Sequence, residues 1–288
     1  MGRPLRTALL LAGLAAAARL AAVTYDEAQA LYGARRYPEA RAAFEAVAAA
    51  DPGNAGAAYH LGELALMRDE PEEAVKWLEK ATALAPASAD YWVSMGDAYG
   101  LSAQHAGLFF KPGLARKCHA AYDRAVALDP RNVEAHASLY RFYRQAPALV
   151  GGGLDKARTE ALVLQKLDDL QGTLALVEVS SAEKNYDAAF KLLQALRQRH
   201  PDSPVAAYQI GRLAAQSGQR LDEGAASLKE YLKHVPADGE PPLWAAHWRL
   251  GIIYEKKGDA AGARTEYQAG LKLNPTQPQL VEALQRVP

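Results

Sequence analysis

Small and bulky apolar residues return along this chain at fixed places in a cycle of 34 residues. Three stretches align without a gap: Ala55–Ser88, Leu170–Ser203 and Trp244–Gln277. The eighth place is small (Gly62 and Gly251, with Val177 the exception), and so is the twentieth (Ala74, Ala189, Ala263). The twenty-fourth place is bulky (Leu78, Leu193, Tyr267) and the thirty-second is proline (Pro86, Pro201, Pro275). Two antiparallel helices approach closely only where facing side chains are small, so the small places predict a helix crossing. The bulky residue then fills the gap one turn further along. Proline lacks an N–H and disfavours helix in the residue before it, which ends the second helix. Asn54, Ser88, Asn132 and Ser203 are the expected caps of the helices that follow, the last with Pro204 placed as first helical residue.

Four further stretches carry the same cycle. Residues 21–54 hold Ala28, Ala40, Phe44 and Pro52. Residues 89–132 hold Trp92, Met95, Gly96 and Tyr99, then Cys118, Tyr122, Ala125 and Pro130. In 133–169 the matches are Leu139, Tyr140 and Tyr143, then Ala157, Ala161 and Leu164. In 204–236 they are Ile210, Gly211 and Ala214, then Gly224, Leu228, Tyr231 and Pro236. A last amphipathic stretch, 278–287, sets Leu280, Val281, Leu284 and Val287 at helical spacing against a polar face of Gln279, Glu282, Gln285 and Arg286. It predicts the solvating cap that a stacked array needs at its end.

This pattern resembles the tetratricopeptide repeat (TPR) family. The resemblance implies an all-α right-handed superhelical solenoid over residues 23–288, with about seven helix–turn–helix repeats (21–54, 55–88, 89–132, 133–169, 170–203, 204–236 and 244–277) and a capping helix. In that family the first helix of each repeat lines an inner groove, mainly through its second, fifth, ninth, twelfth and thirteenth places. Carried over, those places give Tyr25, Tyr32, Tyr59, Glu63, Asp97, Arg141, Arg144, Tyr208, Arg212 and Trp248 as candidate partner-binding residues. Tyr, Trp and Arg are the residue types that dominate binding hot spots, and such a groove suits an extended peptide or a partner helix. Glu63, Asp97 and Glu178 occupy the place where the subgroup that holds chaperone tails has Asn, so that clamp is not expected. The arginines remain suited to a carboxylate or an acidic stretch. The expected function is a scaffold or adaptor for a protein or peptide partner.

Two intra-repeat turns are longer than the pattern requires: Gly100–Gly113 in the third repeat and Gln145–Leu154 in the fourth. Turns of neighbouring repeats share one edge of such a stack, so the two are expected to meet. The candidate composite loop site is His105, Phe109, Phe110, Lys111, Gly151, Gly152, Gly153 and Lys156. It supports an alternative function, binding of a small ligand or a transport-accessory role. The plainer alternative has Phe109 and Phe110 plugging the helix ends. The three glycines are not a phosphate loop, because no strand precedes them and the lysine spacing is absent.

Composition narrows the field further. The 33 basic and 33 acidic residues cancel, which argues against a general nucleic-acid binder. A single cysteine, Cys118, excludes an intramolecular disulfide, and its place at a helix crossing marks it as a packing residue. The seven histidines form no metal-ligand spacing. No nucleophile elbow or dinucleotide fingerprint occurs, so neither an enzyme, a metal nor a cofactor is expected. At the front, Arg3 and Arg6 precede an apolar run from Thr7 to Ala18 that is short for a bilayer span. That layout predicts a signal peptide over 1–22, cleaved after Ala18 or Ala22, and a periplasmic protein with no membrane span once it is removed.

Overall fold

Each apolar cycle folds into a pair of helices. The computed structural model describes residues 23–287, so the expected signal peptide lies outside the described residues. The seven pairs are α1 (Tyr25–Gly33) with α2 (Tyr37–Ala50), α3 (Ala55–Met67) with α4 (Pro71–Leu84), α5 (Ala89–His105) with α6 (Lys111–Leu128), α7 (Val133–Gln145) with α8 (Leu154–Leu167), α9 (Asp169–Ala182) with α10 (Tyr186–Arg199), α11 (Pro204–Ser217) with α12 (Leu221–Tyr231), and α13 (Leu243–Lys256) with α14 (Ala260–Leu273). The cap follows as α15 (Pro278–Arg286), and a single 3₁₀ turn, Ala148–Val150, lies between α7 and α8. No strand occurs among the described residues. The helices form two compact units, residues 23–139 with 146–151, and residues 140–145 with 152–287.

The repeating glycine does more than permit an approach. A Cβ added at Gly62 would stand 2.4 Å from Leu78 Cγ, at Gly96 2.3 Å from Tyr122 Cε1, at Gly211 2.2 Å from Leu228 Cγ, and at Gly251 2.2 Å from Tyr267 Cε1. The bulky twenty-fourth place therefore sits directly on the glycine of the eighth place, rather than a turn beyond it. The small twentieth place is also sealed: Ala74, Ala189 and Ala263 are fully buried, and Cys118 nearly so. Repeat four inverts the sizes. Tyr140 stands where the other repeats have Ala, Gly or, once, Val177, and Ala161 takes the bulky place; both are buried. A further close approach joins α8 to α9, where a Cβ on Gly172 would lie 2.0 Å from the backbone nitrogen of Gln165.

Helix starts follow the expected caps with one correction. Asn54, Ser88 and Asn132 accept from the backbone N–H of Ala57, Tyr91 and Ala135, at 2.8, 3.4 and 2.9 Å. Ser203 makes no such bond, and Pro204 alone marks the start of α11. Thr24 and Glu27 form a reciprocal capping box at the start of α1.

The third-repeat insertion is mostly helix. Gly100 does not break α5, which runs on to His105 and is closed by the bond from the Ala106 N–H to the Ser102 carbonyl. Only residues 106–110 link it to α6. The fourth-repeat insertion is irregular, with Gly151 in a left-handed conformation (φ +102) that a side chain would strain.

Candidate functional site

In the first unit the expected groove residues gather around aromatic rings. Tyr32 and Phe44 flank His60, at ring distances of 4.8 and 4.7 Å, and Tyr25 lies 6.0 Å from the same ring. Burial holds the His60 imidazole below its usual range, so it is neutral at physiological pH. Tyr59 stacks on Tyr91 at 4.5 Å. Beside them lies Glu63, whose carboxyl is pushed up by burial and by the charges of Asp97 and Asp90, against hydrogen bonds to Ser94 and Tyr59 that pull it down. Asp97 accepts from the Tyr122 hydroxyl at 2.7 Å. The thiol of Cys118 beneath is pushed up to about 12 by burial, so it stays protonated and unreactive.

The second unit presents the opposite charge. Tyr140 donates to Glu178 Oε2 at 2.8 Å and approaches the Ala175 carbonyl at 3.2 Å. Arg144 Nε reaches the same Glu178 oxygen at 3.4 Å, with its guanidinium 5.9 Å over the Tyr140 ring. Arg212 is half-buried, and its Nε donates to Gln209 at 2.5 Å. Burial pulls its pKa down from 12.5 and the neighbouring Arg249 adds to that, while Glu178 pulls the other way. Arg249 stacks 4.5 Å over the Trp248 ring, and its buried Nε has no hydrogen-bond partner. One carboxylate, already held by Tyr140 and Arg144, is thus the counter-charge that Arg212 senses, while Arg249 stands against it as a like charge.

Two models, both described as tetratricopeptide repeat, match the chain, one over residues 25–89 and 208–278, the other over 161–203. This chain belongs to the tetratricopeptide repeat family. Solved structures agree on the fold. A tetratricopeptide repeat protein from Parabacteroides merdae superposes with a TM-score of 0.65 at 13% identity, covering 90% of this chain and 95% of that one. Yeast Tom70 gives 0.64 at 14% identity over 87% of this chain and 51% of that one. Pseudomonas aeruginosa pilF gives 0.54 at 17% identity over 81% and 97%. No curated protein matches the chain in sequence.

Set on the TPR frame, most expected groove residues lie on the first helices with part of their surface open, and Arg141 and Arg144 are exposed. Tyr208 departs from the expectation. It is 6% exposed and packs in the core, its ring 5.1 Å from that of Tyr231. Tyr25 and Tyr32 do double duty, since they also pack on the core of the first repeat. His60, Tyr91, Tyr140 and Arg249 join these clusters from first-helix places outside the family's inner set. Tyr140 was findable as the one large residue at the eighth place.

The residues of the two long turns fall in different surroundings within each unit of this TPR chain. In the first unit an open cleft of about 640 Å³ forms between α4 and the α5–α6 pair. Glu72, Val75, Tyr99, His105, Phe110 and Lys117 are among its walls, and no residue of 145–154 is. His105 Nε2 lies 2.9 Å from Asp69 in the turn of repeat two. Phe109 and Phe110 are not plugs; they are exposed, as are Lys111 and Leu149. Gly151 packs near the His119 ring of α6. In the second unit, Gly153 donates to the Tyr143 carbonyl at 2.7 Å beside Gly152, and Lys156 Nζ lies 5.5 Å over the Tyr143 ring. No helix among the described residues is long and apolar enough to cross a membrane.

Proposed function

We propose that this TPR protein is an exported interaction scaffold, and that the first-helix face of its second unit holds an acidic, extended segment of a partner protein. One observation carries the reading: Arg144 and Arg212 share a single carboxylate, Glu178, while Arg249 adds a further positive charge beside Arg212. Arg212 is half-buried and the Nε of Arg249 is buried without a partner, and an added carboxylate is worth more there than at an open surface. Tyr140 and Trp248 supply flat apolar area beside the charges, as hot spots do. Glu63, Asp90 and Asp97 give the first unit the opposite preference. TPR chains in general bind protein partners, which agrees with the scaffold role. Arg3, Arg6 and the apolar run after them support export to the periplasm.

One preparation tests both parts. Recovered from the periplasmic fraction of the expressing cells, the chain is read by N-terminal sequencing, with a start just after Ala18 or Ala22 expected. The same material is titrated by fluorescence polarisation with a labelled Glu- and Asp-rich peptide and with a Lys-rich peptide of equal length. The acidic peptide should bind, and Arg144→Ala together with Arg249→Met should weaken it by about tenfold or more, the loss of one or two charge-assisted contacts. Equal binding of both peptides, or an unchanged affinity in the variant, would refute the groove assignment. Recovery only from cytosol with Met1 intact would refute export.

A further inference from the structure

The α5–α6 turn carries a surface that the groove does not explain. Leu108 is 83% exposed, Phe109 97% and Phe110 72%. Nowhere else among the described residues do three consecutive large apolar side chains stand in water, and single exposed apolar residues are the normal case. The backbone beneath them is ordered: the N–H groups of Phe110 and Lys111 both donate to the Gly107 carbonyl, at 3.0 and 3.2 Å. The tip is therefore a presented wedge. Charge around it is one-sided. From Ala98 to Tyr122 the chain contains Lys111, Arg116 and Lys117 and no acidic residue, although the whole chain is neutral. The first turn of α6 likewise holds no acid. Two carboxylates approach from repeat two: Asp69, which is occupied by His105, and Glu72, which lines the cleft behind Phe110.

We propose that this turn is a peripheral docking site for an anionic lipid bilayer. Leu108, Phe109 and Phe110 enter the boundary between headgroups and acyl chains, and Lys111 and Arg116 meet the headgroup phosphates. Three adjacent side chains on a protruding tip suit insertion into a soft interface. A protein groove would call for a helical stripe of apolar residues or a strand edge, and this turn offers neither. Aromatic rings beside cations are the combination that partitions to that depth, with binding set by apolar area and by attraction to anionic lipid.

The test is co-sedimentation of the full chain with phosphatidylcholine vesicles, with and without phosphatidylglycerol. It compares the native chain with Phe109→Ser/Phe110→Ser and with Lys111→Glu/Arg116→Glu. All three chains carry the apolar run of residues 7–18, so differences among them report on the turn alone. The altered residues are exposed, and circular dichroism should show three equally folded proteins. The native chain should bind the anionic vesicles about tenfold better than either variant, and added salt should weaken its binding. Equal sedimentation of the serine variant overturns the proposal. So does a turn that drives self-association or protein capture, abolished by the serine pair, with no vesicle binding.

Discussion

Glu63 is a carboxyl group held among tyrosines and within reach of two other acids, and its ionisation opposes folding. Burial and the fields of Asp97 and Asp90 raise its native pKa above the 4.5 of an unperturbed glutamate. The native state therefore binds its proton more tightly than the unfolded chain does. By linkage, the stability from this group is complete below pH 4.5 and is lost as pH rises through the native value. Glu63→Gln keeps the shape and removes the charge. Its melting temperature should rise at pH 7. At pH 4 the gain should vanish, and an equal gain at both pH values would mean that the charge is not the cause. The sequence placed Glu63 on the inner face, one turn after Tyr59 on α3, but its other hydrogen-bond partner, Ser94, arrives from α5, a pairing that only the fold makes. Tyr208 shows the reverse case. Its place in the repeat marked it for the groove, yet Tyr231, in the paired helix α12, offered its ring a better seat in the core.

At the scale of the element, five of the seven intra-repeat turns set a left-handed residue at the fifteenth place, and the sixth repeat adds a second at Arg220. Arg35, Asp69 and Lys184 have φ near +60°, and Gly218 and Gly258 stand at the same fifteenth place with φ of +74° and +79°. A left-handed L-residue costs roughly 1–2 kcal/mol, part of which glycine's larger unfolded-state entropy takes back. Lys184→Gly should therefore stabilise the protein by about 0.5–1 kcal/mol in chemical denaturation, and Gly258→Ala should destabilise it by about 1 kcal/mol. Loss of stability in Lys184→Gly would show that the lysine side chain, and not the backbone, holds that turn. The helix pairs themselves were legible because glycine against a bulky residue is a local rule that repeats in register. The extension of α5 was not, because Gly100 reads as a breaker while the Ser102 and Ala103 that follow it still favour helix when packed. The exposure of Phe109 and Phe110 was equally hidden: a buried plug and a solvent-facing tip have the same residues, and only the longer α5 decides between them.

At the scale of the whole molecule, a repeat array spreads its stability through contacts between neighbours, so damage at one end stays near that end. The closing helix is the place to see this. Leu280 and Ala283 of α15 are fully buried, and Leu280 occupies the room left by the missing side chain of Gly270 on α14. Arg264 ties the far end by donating to the Val287 carbonyl at 2.7 Å. Leu280→Ala removes the anchor of that helix, at a cost of about 2–4 kcal/mol to the segment it covers. Hydrogen exchange should then quicken in α13 and α14, where Tyr267 and Trp248 lose their cover, while α1–α4 keep their native protection. A uniform rise in exchange along all fifteen helices would instead describe a single all-or-none unit. In that case the proposed acidic-peptide face on α7, α9, α11 and α13 could not respond to a bound partner independently of the α5–α6 turn, because every local opening would be a global one.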